Sequence, residues 1–141
     1  MSDPLYSLDV LRLAADATGA GRLDEPRLSH TEHNPTCGDR VTVDLHVEGG
    51  RVVAMAHETK ACVLSQASAS ALAGALPGLD HRELAALRDA VVAMLSKQEP
   101  FEPFRALQSV AAFPSRHRCV LLPIDAALRA LEAGEPRRQG A

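Results

Sequence analysis

The sequence predicts an α+β domain: a small antiparallel three-stranded sheet with helices packed on one face. Three observations carry that expectation. The β runs precede the main helical runs, which is an α+β order. Val41, Val43, Leu45 and Val47 alternate with Thr42, Asp44, His46 and Glu48, a period of two. Gly49-Gly50 then separates that run from Arg51–Ala56, and paired glycines supply the positive φ that a tight hairpin requires.

The elements follow in order. Ser7 is a good N-cap for a first helix through Leu8, Leu11 and Ala15, with Gly19 and Gly21 ending it. Arg22 to Thr36 is polar and holds Pro26 and Pro35, so it reads as a loop with one short edge strand near Leu28 to Glu32. The hairpin comes next. After Cys62 the pattern turns helical, and Gln66 to Leu76 is rich in Ala and Ser until Pro77-Gly78 stops it. Asp80 and Glu83 form a capping box for a helix with Leu84, Leu87, Val91 and Met94 on one face. Pro100 and Pro103 break the chain, and a short helix fits Phe104 to Ala112. A last helix starting near Cys119 carries Leu121, Ile124, Leu128 and Leu131, with Pro123 in its first turn. Residues 1–134 read as one domain, and 135–141 as a disordered tail.

Composition narrows the function. Only 3% of residues are aromatic and the net charge is -3, which argues against a nucleic-acid partner needing stacking platforms and a basic groove. No apolar run approaches membrane-spanning length. Met1-Ser2-Asp3-Pro4 has neither a basic nor an apolar leader segment, so the expected compartment is the cytoplasm. Three cysteines, an odd number, fit reduced thiols there.

Those cysteines carry the chemistry. Cys37, Cys62 and Cys119 with Asp39 make a complete four-ligand set for a thiophilic metal. Cys37 and Asp39, two residues apart in extended chain, point to the same side, and Gly38 lets the backbone bend between them. Cys62 follows the second hairpin strand, so the open end of the hairpin brings it toward Cys37. Cys119 joins them only if the last helix packs there. Helix N-termini near Cys62 and Cys119, with Lys60, Arg116 and Arg118, favour thiolate. The plainer alternatives are small buried cysteines, a turn aspartate, solvated cations and helix-packing serines at 65, 68 and 70. No Cys-x-x-Cys pair is present, and His30, His33, His57 and His117 read as surface residues flanking the site.

On these residues the chain resembles the NifU/IscU family of iron–sulfur cluster assembly proteins, from about Leu5-Tyr6 to the last helix. Asn34-Pro35-Thr36-Cys37-Gly38-Asp39 looks like the family's first motif. Lys60-Ala61-Cys62 with Ser65, Ala67 and Ser68 looks like the second, and Arg116 to Leu122 the third. The resemblance implies that Cys37, Asp39, Cys62 and Cys119 surround one metal or cluster on an IscU/SufU-like fold. It implies a transient [2Fe-2S] cluster or zinc as cofactor, with a cysteine desulfurase and apo Fe-S acceptor proteins as partners. The chain departs from the scaffold branch at Arg118, where that branch has His, and at Phe113-Pro114-Ser115-Arg116, where it has a chaperone-recruiting segment. A Pro-bounded insertion at Glu99–Pro114 and a basic residue before the third Cys resemble the SufU-like branch, which binds zinc and carries sulfur. The chain also lacks that family's usual His-Tyr and Pro-Arg-Asn signatures in its first helix. The SufU resemblance makes Cys37 the persulfide acceptor, and the scaffold resemblance makes it Cys119. The expected function is therefore cluster assembly. The alternatives are a zinc-dependent sulfurtransferase and, last, a structural zinc domain.

Overall fold

Ser7 caps the first helix, α1 (Leu8–Asp16): its hydroxyl accepts from the Val10 N–H at 3.3 Å. The structure is a computed structural model and describes residues 6–25, 27–35, 38–97 and 99–134. The expected tail at 135–141 lies outside them. α1 ends at Ala17 in the left-handed region (φ 47), two residues before the expected glycine stop. Gly19 has a different task. With φ 79 it turns the chain onto the sheet, where its carbonyl accepts from the His57 N–H at 2.9 Å. A Cβ there would lie 2.7 Å from the Ala73 Cβ, so glycine is required twice over, by conformation and by space.

The sheet has the order β1-β2-β3, all antiparallel, from β1 (Leu28–Asn34), β2 (Asp39–Glu48) and β3 (Arg51–Lys60). The edge strand runs two residues beyond the expected Glu32. Gly49 and Gly50 both have positive φ, as the hairpin reading requires. Val41, Val43 and Leu45 point to one face and are fully buried. On the other face Asp44 is also fully buried, with Arg22, Leu23 and Arg27 against its carboxylate. Its carboxylate accepts from Arg22 Nε at 2.7 Å, from Ser29 Oγ at 2.7 Å and from the Leu23 N–H at 3.0 Å. Burial alone would push that carboxyl pKa up; Arg22, Ser29 and Leu23 outweigh it and hold it below the ordinary value.

Helices cover the Val43 face. α2 (Val63–Ala75) begins directly after Cys62, three residues ahead of the expected Gln66. α3 (His81–Lys97) opens with the expected capping box: Asp80 Oδ1 accepts from the Glu83 N–H at 2.8 Å, and Glu83 Oε1 from the Asp80 N–H at 3.1 Å. The segment expected as a short helix at Phe104–Ala112 is 3₁₀ in geometry over Glu102–Ala112, with a break at Phe104. Phe104 leaves the helical region (φ -117, ψ 19) and is anchored in the core, its ring 6.1 Å from that of Phe101. After a 3₁₀ turn at Pro114–Arg116, α4 (His117–Gly134) starts two residues earlier than expected. That places Pro123 inside the helix, not in its first turn.

α4 packs across β1 and β2, and α2 beside it packs on β3. Leu45, Leu64, Leu72, Leu84, Met94, Phe104 and Ile124 fill the core between them. No described helix is long and apolar enough to cross a membrane.

Candidate metal centre

Three elements meet at the open end of the hairpin. Asp39 is the first residue of β2, one position before the Arg40–Lys60 pair that closes the ladder. Cys62 follows β3 and is the N-cap of α2. The bend is held by the Cys62 N–H, which donates to Asp39 Oδ2 at 3.3 Å. Cys119 lies in the first turn of α4, 4% exposed, and α4 packs against α2. One carboxylate oxygen of Asp39 and the sulfurs of Cys62 and Cys119 lie within 4.8 Å of one another. Cys37, expected beside them, falls outside the described residues.

The electrostatics favour thiolate. The Cys119 side chain hydrogen-bonds to Cys62 and, against the upward push of burial, lowers the Cys62 thiol to about 6. The Leu64 and Ser65 N–H groups face the sulfur without closing a cap hydrogen bond, and they add the field of the α2 N-terminus. Arg116 lies beside Tyr6 and hydrogen-bonds to Cys119; Tyr6 first and Cys119 second raise the guanidinium pKa above its ordinary value. Of the three expected cations, then, Arg116 faces the thiols. Lys60 and Arg118 are exposed.

The donor set suits a thiophilic ion. A tetrahedral zinc site has bonds of about 2.0–2.3 Å, so its donors stand roughly 3.5 Å apart. Two sulfurs and one oxygen leave a fourth position, the one the sequence assigns to Cys37.

Three residues do more than the sequence indicated. His57, expected at the surface, is 4% exposed and faces the helices. Its Nε2–H donates to the Thr18 carbonyl at 2.9 Å, so Nδ1 accepts from the Thr59 hydroxyl at 2.8 Å. Its place opposite Val43 in the alternating register was the available signal. Ser65 and Ser68, expected as packing residues, donate to the carbonyls of Cys119 (2.8 Å) and Val120. A groove of about 960 Å³ lies at the Gly49–Gly50 end of the hairpin and is lined by neither Cys62 nor Cys119.

The NifU-like N-terminal domain family matches residues 5–113, most of the chain. The chain belongs to that family. The match stops short of Cys119, so the third thiol rests on the packing just described. Among relatives, the chain is 31% identical over 113 residues to the zinc-dependent sulfurtransferase SufU of Bacillus subtilis, covering 77% of this chain and 74% of that protein. It is 30% identical over 123 residues to the iron–sulfur cluster assembly scaffold protein IscU of Thermotoga maritima, covering 84% and 86%. The crystal structure of a nitrogen-fixing NifU-like protein (N-terminal) from Brucella abortus superposes with a TM-score of 0.83 at 35% identity, covering 94% of this chain and 98% of that one. The expected α+β architecture with its three-stranded antiparallel sheet is thus the architecture found.

Proposed function

We propose that this protein assembles iron–sulfur clusters: it receives sulfur from a cysteine desulfurase and holds iron, cluster or zinc between Cys37, Asp39, Cys62 and Cys119. The observation that carries the reading is the convergence of Asp39, Cys62 and Cys119 from β2, α2 and α4. A site built on three separate elements is held by the whole fold and is not a local loop motif. The family, with relatives named as a scaffold and as a sulfurtransferase, supports the same reading.

The chemistry follows from the thiols. A thiolate of the site attacks the outer sulfur of the desulfurase persulfide. A new S–S bond forms on this chain, the S–S bond to the desulfurase cysteine breaks, and that cysteine leaves as thiolate. The Cys119 hydrogen bond and the α2 N-terminus bias Cys62 toward the thiolate that this attack needs. Arg116 beside Cys119 offers positive charge to an incoming anionic persulfide. Iron would be held as cargo by the same residues; turning the delivered sulfane sulfur into cluster sulfide takes two electrons per sulfur from an external thiol or electron-transfer donor, and the apo acceptor proteins would receive the product. Asp39 is the hard oxygen among soft sulfurs, the ligand that exchanges most readily. Thiols in this role need a reducing compartment, which fits the cytoplasm.

A second reading is a zinc-dependent sulfurtransferase. It is favoured by the Bacillus relative and by the arginine at 118 in place of the scaffold histidine. Zinc would be held by the same four residues and would keep their thiols ionised. One experiment separates the two. Protein purified without oxygen and without added metal is assayed for metals and acid-labile sulfide. Iron and sulfide in comparable amounts support the scaffold. About one zinc per chain without sulfide supports the sulfurtransferase. Neither metal bound, even after loading, overturns both.

A further inference from the structure

α4 carries Cys119 in its first turn and Pro123 four residues on. In an unbroken helix the Cys119 carbonyl accepts from the N–H of residue 123. Proline has no N–H to give it. The bond comes from another helix: Ser65 Oγ on α2 donates to the Cys119 carbonyl at 2.8 Å. Three residues further along α2, the Ser68 hydroxyl donates to the next carbonyl, that of Val120. Both serines are fully buried. Ser65 stands one turn after Cys62 on the same face, and its oxygen lies 3.7 Å from the Cys62 sulfur.

We infer that Ser65 is a positioning residue of the metal centre: with Pro123 and Ser68 it locks α2 to α4 in the one register that brings Cys62 and Cys119 together. The inference rests on the metal-centre reading above and adds to it the device that sets the sulfur–sulfur separation. The geometry supports a lock because two hydrogen bonds one helical turn apart on α2 meet consecutive carbonyls on α4, so a slide of either helix breaks both. Small side chains alone would permit that slide. The proline is what makes α4 depend on α2, because a residue with an N–H at 123 would serve the Cys119 carbonyl from within its own helix.

The test is a double-mutant cycle between Ser65→Ala and Pro123→Ala, with Ser70→Ala as control. Ser70 is another buried α2 serine, and it accepts from the Thr18 N–H at 3.1 Å, away from the thiols. Two readouts are taken. The first is the rate of zinc release to a chromogenic chelator. The second needs no metal: in a Cys37→Ala background, a dipyridyl disulfide is attacked by Cys62 and Cys119 then closes the Cys62–Cys119 disulfide. Each step releases one thiopyridone, and the second release reads the distance between the thiols.

Ser65→Ala is expected to speed zinc release and slow the second thiopyridone step, each by about tenfold. In the Pro123→Ala background the same change is expected to move either rate by no more than about twofold, because the introduced alanine brings its own N–H to the carbonyl. Ser70→Ala is expected to lower the thermal midpoint and leave both rates near wild type. Wild-type rates for Ser65→Ala, or an equal effect with and without Pro123, would overturn the inference. Failure of the wild type to bind zinc, with the disulfide step still sensitive to Ser65, would overturn the metal reading and leave the register lock standing. If Ser65→Ala does not fold, Pro123→Ala carries the test alone. Its N–H competes with Ser65, so zinc release should rise at least about twofold, and an unchanged rate counts against the lock.

Discussion

The Cys62 thiol is pushed toward thiolate, and two predictions belong to it and its neighbour. In metal-free protein, alkylation of Cys62 should follow a titration centred at about 6, because Cys119 hydrogen-bonds to it and the α2 N–H groups face it. Cys119→Ala removes the leading cause and should move the midpoint upward; iodoacetamide rates across pH, read by peptide mass, decide this. An ordinary thiol profile in the wild type would contradict it. Asp39→Ala should accelerate loss of metal or cluster while costing no more than about 1.5 kcal/mol of stability, since it removes one hydrogen bond to the Cys62 N–H. Chelator-driven release and chemical denaturation measure the two effects separately; wild-type release would sink the exchangeable-ligand idea. At this scale the sequence singled out the candidate atoms and was silent about what tunes them. The thiols and the carboxylate stand in recognisable motifs. The hydrogen bonds from Cys119 and Arg116 depend on helix packing.

At the scale of elements, the turn at Gly19 combines a positive φ with a close approach to α2. Gly19→Ala must adopt φ 79 and place its Cβ against Ala73, and a loss of about 2–4 kcal/mol is expected in denaturant unfolding. A loss below about 1 kcal/mol, no more than the backbone conformation alone would cost, would mean that α2 yields readily. The hairpin, the capping box at Asp80 and the Ser7 cap were all legible in the sequence, because each is a local device with local residue requirements. The start of α4 was not. A proline near a helix start usually marks its first turn, and only the 3₁₀ turn at Pro114–Arg116 moves the start back to His117. The serines that then serve the Cys119 and Val120 carbonyls are more than 50 residues away in sequence, so no local pattern announces them.

For the molecule as a whole, two buried titratable groups set the acid response. His57 is held neutral by burial, below its ordinary value of 6.5, so the folded state binds fewer protons there than the unfolded chain. Its contribution is complete above that value and declines as pH falls below it. Asp44 has the same sign lower down: its folded pKa lies below 3.8, so its contribution is complete above that value and is lost as pH falls through the folded one. Thermal midpoints should therefore fall on acidification in two stages. His57→Gln should flatten the upper stage, and Asp44→Asn the lower. A midpoint constant from pH 7 to 5 in the wild type would show that His57 is not buried as described. Fold class was readable from the order of β and helical runs, because burial of one sheet face needs helices and the sequence supplies them afterwards. The gathering of Asp39, Cys62 and Cys119 was only half readable. The hairpin brings the first two together by topology, while the third arrives through the α2–α4 packing.

The central claim is that three thiols and one carboxylate share a single ion. Cobalt titration of the metal-free chain under anaerobic conditions tests it most directly, because thiolate-to-cobalt charge-transfer absorbance scales with the number of bound sulfurs. Wild type should saturate at one cobalt with the intensity of three thiolates. Cys37→Ala, Cys62→Ala and Cys119→Ala should each lose about a third of it, and Asp39→Ala should keep it while releasing the ion faster. A spectrum unchanged by any one of the three cysteine substitutions would remove that cysteine from the site and contradict the account.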